Sequence, residues 1–139
     1  MPPTHLFHPA LAMVALTFVV WLAMYFQRVG QMKRDRIHPQ AVATAAQSSA
    51  RLTESNRADN FRNLFELPVL FYLALVVAFL AGQGGALVTG LAWAFVALRV
   101  LHSLIHCTYN RVMHRFWAYF AGGVALWLLW AVLAWELLS

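Results

Sequence analysis

Arg62, Asn63 and Glu66 stand together at the start of an apolar stretch, with Asp59 one turn before them. On a helix Asp59, Asn63 and Glu66 fall at i, i+4 and i+7 and share one face. Arg62 and Glu66 have the i,i+4 spacing at which opposite charges neutralise each other. A second polar stripe follows the next apolar stretch, with Arg99, His102, His106 and Asn110 at i, i+3, i+7 and i+11. Arg111, Arg115 and Tyr119 form a third. Inside a membrane each ionisable side chain costs roughly 2.5 to 3.5 kcal/mol on insertion scales, so such groups normally turn toward a bundle interior or a wet cavity. Three stripes at one depth predict a shared polar pocket.

The pocket's inventory suits a small anion. Arginine forks pair with carboxylates, while Asn63 and Glu66 can receive an ammonium or amide. Glutathione carries carboxylates, an ammonium, amides and a thiol, and matches that set. Its thiol, with a reference pKa near 8.5, attacks only as thiolate. One arginine within about 4 to 6 Å lowers a neighbouring acid by roughly one to three units, enough to make thiolate the main form. Blander readings exist for each group. Arg62 with Glu66 can lock helices together, His102 and His106 can be hydrogen-bonded core residues, and Arg111 and Arg115 can anchor head groups. Trp117, Trp130 and Trp135 suit interface belts and packing. His102 and His106 also have zinc-ligand spacing, but the surrounding arginines repel a cation and no metal is expected.

The elements that position these residues are transmembrane helices. Of 139 residues, 62% are hydrophobic and 11% charged, where a soluble domain carries roughly a quarter charged. Pro9 to Phe26, Leu67 to Leu98 and Phe116 to Trp135 contain no charge. About 20 apolar residues cross the hydrocarbon core. The middle run is too long for one crossing and breaks at Gly82-Gln83-Gly84-Gly85, a turn composition. The expectation is an all-α fold over residues 1–139, an integral membrane bundle of four transmembrane helices at about 9–36, 56–82, 85–109 and 112–137. The first helix is expected to be retained, because the lead lacks Lys, Arg and a cleavage site. Ile37 to Asn56 reads as the one sizeable loop, with His38-Pro39 as a stop and Ser55 or Asn56 as the next cap.

All ten Lys and Arg residues lie in or beside the first-to-second and third-to-fourth connections. By the positive-inside rule, those connections are cytoplasmic and both termini lie outside the cytoplasm. The net charge of +5 is thus a local field, able to meet anionic lipid. Nucleic-acid binding is not expected, since no soluble basic domain presents it. Cys107 is the single cysteine, so no internal disulfide forms.

At Arg62-Asn63-Leu64-Phe65-Glu66 the chain resembles the Arg-Asn-x-x-Glu signature of the membrane-associated proteins in eicosanoid and glutathione metabolism, the MAPEG family. Arg99-x-x-His102 with Arg111 and Arg115, and Gly30-Gln31-Met32-Lys33, are similar to that family's prostaglandin E synthase branch. The resemblance implies a homotrimer with glutathione between neighbouring subunits, held by Arg62, Asn63, Glu66 and His102. Lys33 would reach in from the adjacent subunit, Arg115 would stabilise the thiolate, and Tyr119 would line the site, with His106 and Arg111 beside it. An apolar second substrate would enter from lipid along the fourth helix. His106, Phe116, Asp59 and the early Pro68 depart from the prostaglandin branch, and the chain looks more like a bacterial, inner-membrane relative. The implied activity is a glutathione-dependent transferase or peroxidase for lipophilic electrophiles or hydroperoxides. The alternative is a non-catalytic lipid-binding or scaffold protein of the same fold.

Overall fold

The computed structural model describes residues Met1–Ser139, which are helical with short connections. Helix α1 spans Phe7–Arg34, α2 Ala45–Arg51, α3 Asn56–Asn63, α4 Leu67–Leu80, α5 Ala86–Cys107 and α6 Val112–Leu138. Four segments are long and apolar enough to cross a membrane: Thr4–Arg34, Asn56–Leu80, Ala86–Cys107 and Val112–Leu138. Leu11, Phe18, Phe26, Leu80, Phe120 and Trp127 are exposed on their outer faces, a surface that lipid covers and water would not.

The expected second helix is one crossing but two helices. Its ladder breaks between Asn63 and Leu67, and Phe65 and Glu66 instead donate to Arg62 and Asn63 through i→i−3 bonds of 3.1 Å. Pro68 is the cause: it has no N–H to give and its ring excludes the carbonyl four residues back, that of Leu64. Glu66, at φ −92° and ψ −104°, leaves helical geometry. The i,i+4 pairing of Arg62 with Glu66 therefore does not form. Arg62 instead lies 3.8 Å from Asp59, and Glu66 accepts from Asn63 Nδ2 at 3.1 Å.

The segment read as a loop is partly structured. Pro39–Val42 makes a single 3-10 turn. Thr44 and Gln47 close a reciprocal capping box at the start of α2. Helix α1 stops before His38-Pro39, with Arg36 in the left-handed region at φ 53° and Ile37 N–H bonded to Met32 O at 2.8 Å. Gln31, 2% exposed, then ties the segment back to α1. Its amide donates to Thr53 at 3.0 Å, and its oxygen accepts from Glu54 N–H at 3.1 Å.

Helices α1, α3 and α5 are joined by polar contacts at the basic end of the bundle. Gln27 donates to Asn56 (2.7 Å), and Asn56 donates to the His106 carbonyl (2.9 Å). Fully buried Asn60 donates to Cys107 Sγ and accepts from Ser103. Where water and lipid supply no competing partner, such bonds hold helices in register. Toward the opposite end the core is apolar, with Phe71 of α4 stacked on Phe95 of α5 at 4.6 Å. Helices α5 and α6 are the most extensively paired. Gly122 lies in this seam, facing Leu98 and Phe95.

The α4–α5 turn closes as the glycine-rich sequence implies. Gly82, at φ +69°, donates to Phe79 O and Gln83 donates to Ala78 O, the paired bonds of a left-handed glycine helix end. Nothing lies within 4 Å of a Cβ built on Gly82, so a substitution there is opposed by backbone conformation alone, at about 1 to 2 kcal/mol. Gly82→Val is expected to lower thermal stability in detergent by that amount. Gly85→Ala, at φ −66° with open space around it, should leave stability unchanged. Equal melting of the two variants would show that the turn does not need its left-handed residue.

Candidate functional site

At the basic end, α3, α5 and α6 enclose an open cavity of about 550 Å³. The α3 segment and the break behind it contribute Asp59, Arg62, Asn63 and Glu66. His102 and His106 enter from α5, one turn apart, and Arg115 and Tyr119 from α6, also one turn apart. The Pro68 break does not scatter the first group. It lets Glu66 stay at the rim while Asn63 turns inward.

The cavity has a charged back wall. Arg99, 3% exposed, donates to Asn63 Oδ1 and lies 5.7 Å over the Tyr119 ring, where the ring's negative face attracts a cation. Asn63 passes the constraint on by donating to Glu66. One buried guanidinium thus joins α5 to α3, orients the amide and aims the carboxylate.

His102 is fixed from α6. Its Nδ1 lies 3.2 Å from the Arg115 carbonyl. A carbonyl only accepts, so Nδ1 carries the proton and Nε2 is left as an acceptor. Its ring lies 5.5 Å from both His106 and Tyr119. His102 Nε2, His106 Nδ1 and Arg99 Nε are buried without a partner. Each such group costs about 1 to 3 kcal/mol while unmet.

Arg115 is held twice, by His102 on its carbonyl and by Asn110 Oδ1, which accepts from Nη1 at 2.8 Å. Arg62 is largely exposed, and its contact with Asp59 is long, so solvent leaves little net energy in that pair. The lining sets Arg62 and Arg115 against Asp59 and Glu66, and buried Arg99 adds a further positive charge behind Asn63 and Tyr119.

Two expected residues are not brought into this cavity. Arg111 is exposed and extended, at φ −75° and ψ 117°; as the residue before α6 it does not continue the Arg115 face. Lys33 is exposed on the last turn of α1 and does not line its own chain's cavity. Asn110 also leaves its expected stripe, because α5 ends at Cys107 and Asn110 adopts φ 49°. Val112 and Phe116 line the cavity without having been anticipated there. Arg99 was legible as a stripe member, at three residues before His102, but not as the buried support of Asn63.

Phe116 and Tyr119 are shared with a second, apolar groove of about 290 Å³ on the outer face of α6. Leu67, Phe120 and Trp127 form its walls, and Gly123 leaves its floor open. A polar, charged chamber therefore adjoins an apolar groove across two aromatic rings.

The sequence model of the MAPEG family matches residues 6–135. No curated protein and no solved structure matches the chain. The match spans all four membrane-crossing segments and the connections that carry the cavity, and the chain is a multi-pass membrane protein that belongs to the MAPEG family.

Proposed function

We propose that the protein is a glutathione-dependent transferase or peroxidase that acts on lipophilic electrophiles or hydroperoxides drawn from the bilayer. The observation that carries this reading is the contact between the guanidinium-rich cavity and the apolar groove, through Phe116 and Tyr119. A water-soluble anion and a lipid-soluble acceptor need adjoining sites of opposite character, and this arrangement supplies both.

The cavity residues fit glutathione chemically. Its volume lies in the range of about 300 to 1,000 Å³ usual for small-molecule sites. Arg62 offers a fork for a carboxylate, Glu66 and Asp59 accept an ammonium, and His102 lines the wall beside them. Glutathione supplies the nucleophilic sulfur. Arg115 stabilises negative charge on that sulfur, while Asn63, Glu66 and His102 orient the tripeptide so that encounter with the acceptor is intramolecular. Tyr119 and Phe116 separate the wet chamber from the groove. The proposed assembly is a homotrimer in which Lys33, exposed here, reaches a neighbour's cavity. The cavity faces the cytoplasm of a bacterial inner membrane, with both termini on the other side.

The non-catalytic reading draws on one contact, the buried Arg99–Asn63 bond, which by itself locks α5 to α3. Glutathione titration separates the two readings. Absence of binding at millimolar ligand favours a scaffold.

Three outcomes are expected. Arg115→Ala should lower glutathione-dependent turnover of a chlorodinitrobenzene-type acceptor by about a hundredfold or more with little change in melting temperature, since alanine keeps the carbonyl that His102 uses. Wild-type protein that binds glutathione yet turns over no electrophile or peroxide would remove the enzymatic reading. Gly123→Leu should fill the groove and raise KM for bulky acceptors while glutathione affinity stays unchanged; parallel loss of both would place the acceptor elsewhere. Alkaline phosphatase fused at the C-terminus should be active in bacterial cells and inactive when inserted at 40–50, and the reverse pattern would invert the topology.

A further inference from the structure

Arg115 has no carboxylate partner. Its Nη1 donates to a neutral amide oxygen, that of Asn110, at 2.8 Å. Asn110 is itself held in an unusual conformation. It sits in the α5–α6 connection at φ 49°, a left-handed geometry that asparagine, aspartate and glycine adopt more readily than other residues. Its N–H is bonded to Ile105 O at 2.7 Å, and Tyr109 Oη lies 3.0 Å from His114 Nδ1 across the same connection. The connection is thus anchored to both helices it joins, and its one inward-directed acceptor meets the guanidinium. On the other side, Arg115's own carbonyl is taken by His102.

We propose that Asn110 is a positioning residue for the thiolate-stabilising function of Arg115, an inference that rests on the reading of the cavity as a glutathione site. The oxygen removes rotational freedom from the guanidinium, so that less ordering is needed when an anion arrives. Being uncharged, it leaves the full positive charge available. An aspartate would fit the same backbone and reach the same nitrogen, yet would spend that charge on an ion pair. The choice of amide over carboxylate is therefore electrostatic in its consequence rather than steric.

The other charged and titratable groups around Arg115 are Asp59, Arg62 and Glu66 from the α3 side, Arg99, His102 and His106 from α5, Tyr109 and Arg111 in the connection, and His114 and Tyr119 on its own helix. None is altered by a change at Asn110, so the comparison isolates the one contact.

The test measures the pH at which bound glutathione ionises, from thiolate absorbance in the ultraviolet, in purified wild-type protein, Asn110→Asp and Asn110→Gly. Both variants tolerate a positive φ, and melting temperatures of the three proteins check folding. In wild type the bound thiol should ionise below the range of the free thiol. Asn110→Asp should raise that midpoint by about one pH unit, a tenfold loss of thiolate at fixed pH. Asn110→Gly should shift it upward by less, because only the tether is lost. Midpoints equal to wild type in both variants would overturn the role of Asn110 while leaving the glutathione site intact. Wild-type protein that binds glutathione without forming thiolate, or does not bind it, would overturn the underlying reading and this inference with it.

Discussion

A guanidinium that is 3% exposed, in a bundle whose outer surface faces lipid, must find its partners inside the protein. Arg99 finds them in the Asn63 amide oxygen and the face of Tyr119. Removing one partner of a buried charge costs far more than the pair itself contributes, so these positions constrain one another. Helix α3 is held against α5 and α6 at the depth where the cavity opens, and Glu66 is aimed through Asn63. The remainder of the site is arranged around that anchored wall.

The Pro68 break has a consequence beyond local geometry. In an unbroken helix Arg62 and Glu66 would neutralise each other on one face. With the ladder interrupted, Arg62 remains exposed and only loosely approached by Asp59, while Glu66 is taken up by Asn63. Arg62 and Glu66 thus both line the cavity without being paired to each other. A proline in the middle of a membrane crossing is tolerable because its neighbours satisfy the freed groups, here by i→i−3 bonds and side-chain contacts.

Electrostatic order runs from the wet end to the lipid. Polar contacts among Gln27, Asn56, Asn60 and Ser103 fix the helices at the basic end. Beside them, on the same turns of α3 and α5, lies the polar chamber, which meets an apolar groove at Phe116 and Tyr119. Arg115 stands near that junction, held by a neutral oxygen on one side and a histidine on the other.

The number of crossings, their approximate limits and the glycine turn were legible in the chain, because crossing length and backbone freedom at Gly82 are local properties. So was the gathering of Asp59, Asn63, Glu66, His102, His106, Arg115 and Tyr119, since an apolar surround leaves polar stripes nowhere else to face. Spacing could not show which partners each would take. The Arg62–Glu66 pair looked sound on an ideal helix and was undone by Pro68, and Arg111 looked continuous with Arg115 until α6 was seen to begin at Val112. The support of Asn63 by Arg99, the hold of Asn110 on Arg115 and the groove beside Tyr119 all join residues far apart in the chain or set by a loop's path. Periodicity describes one helix at a time, whereas these contacts depend on the distance and rotation between helices, which packing alone decides.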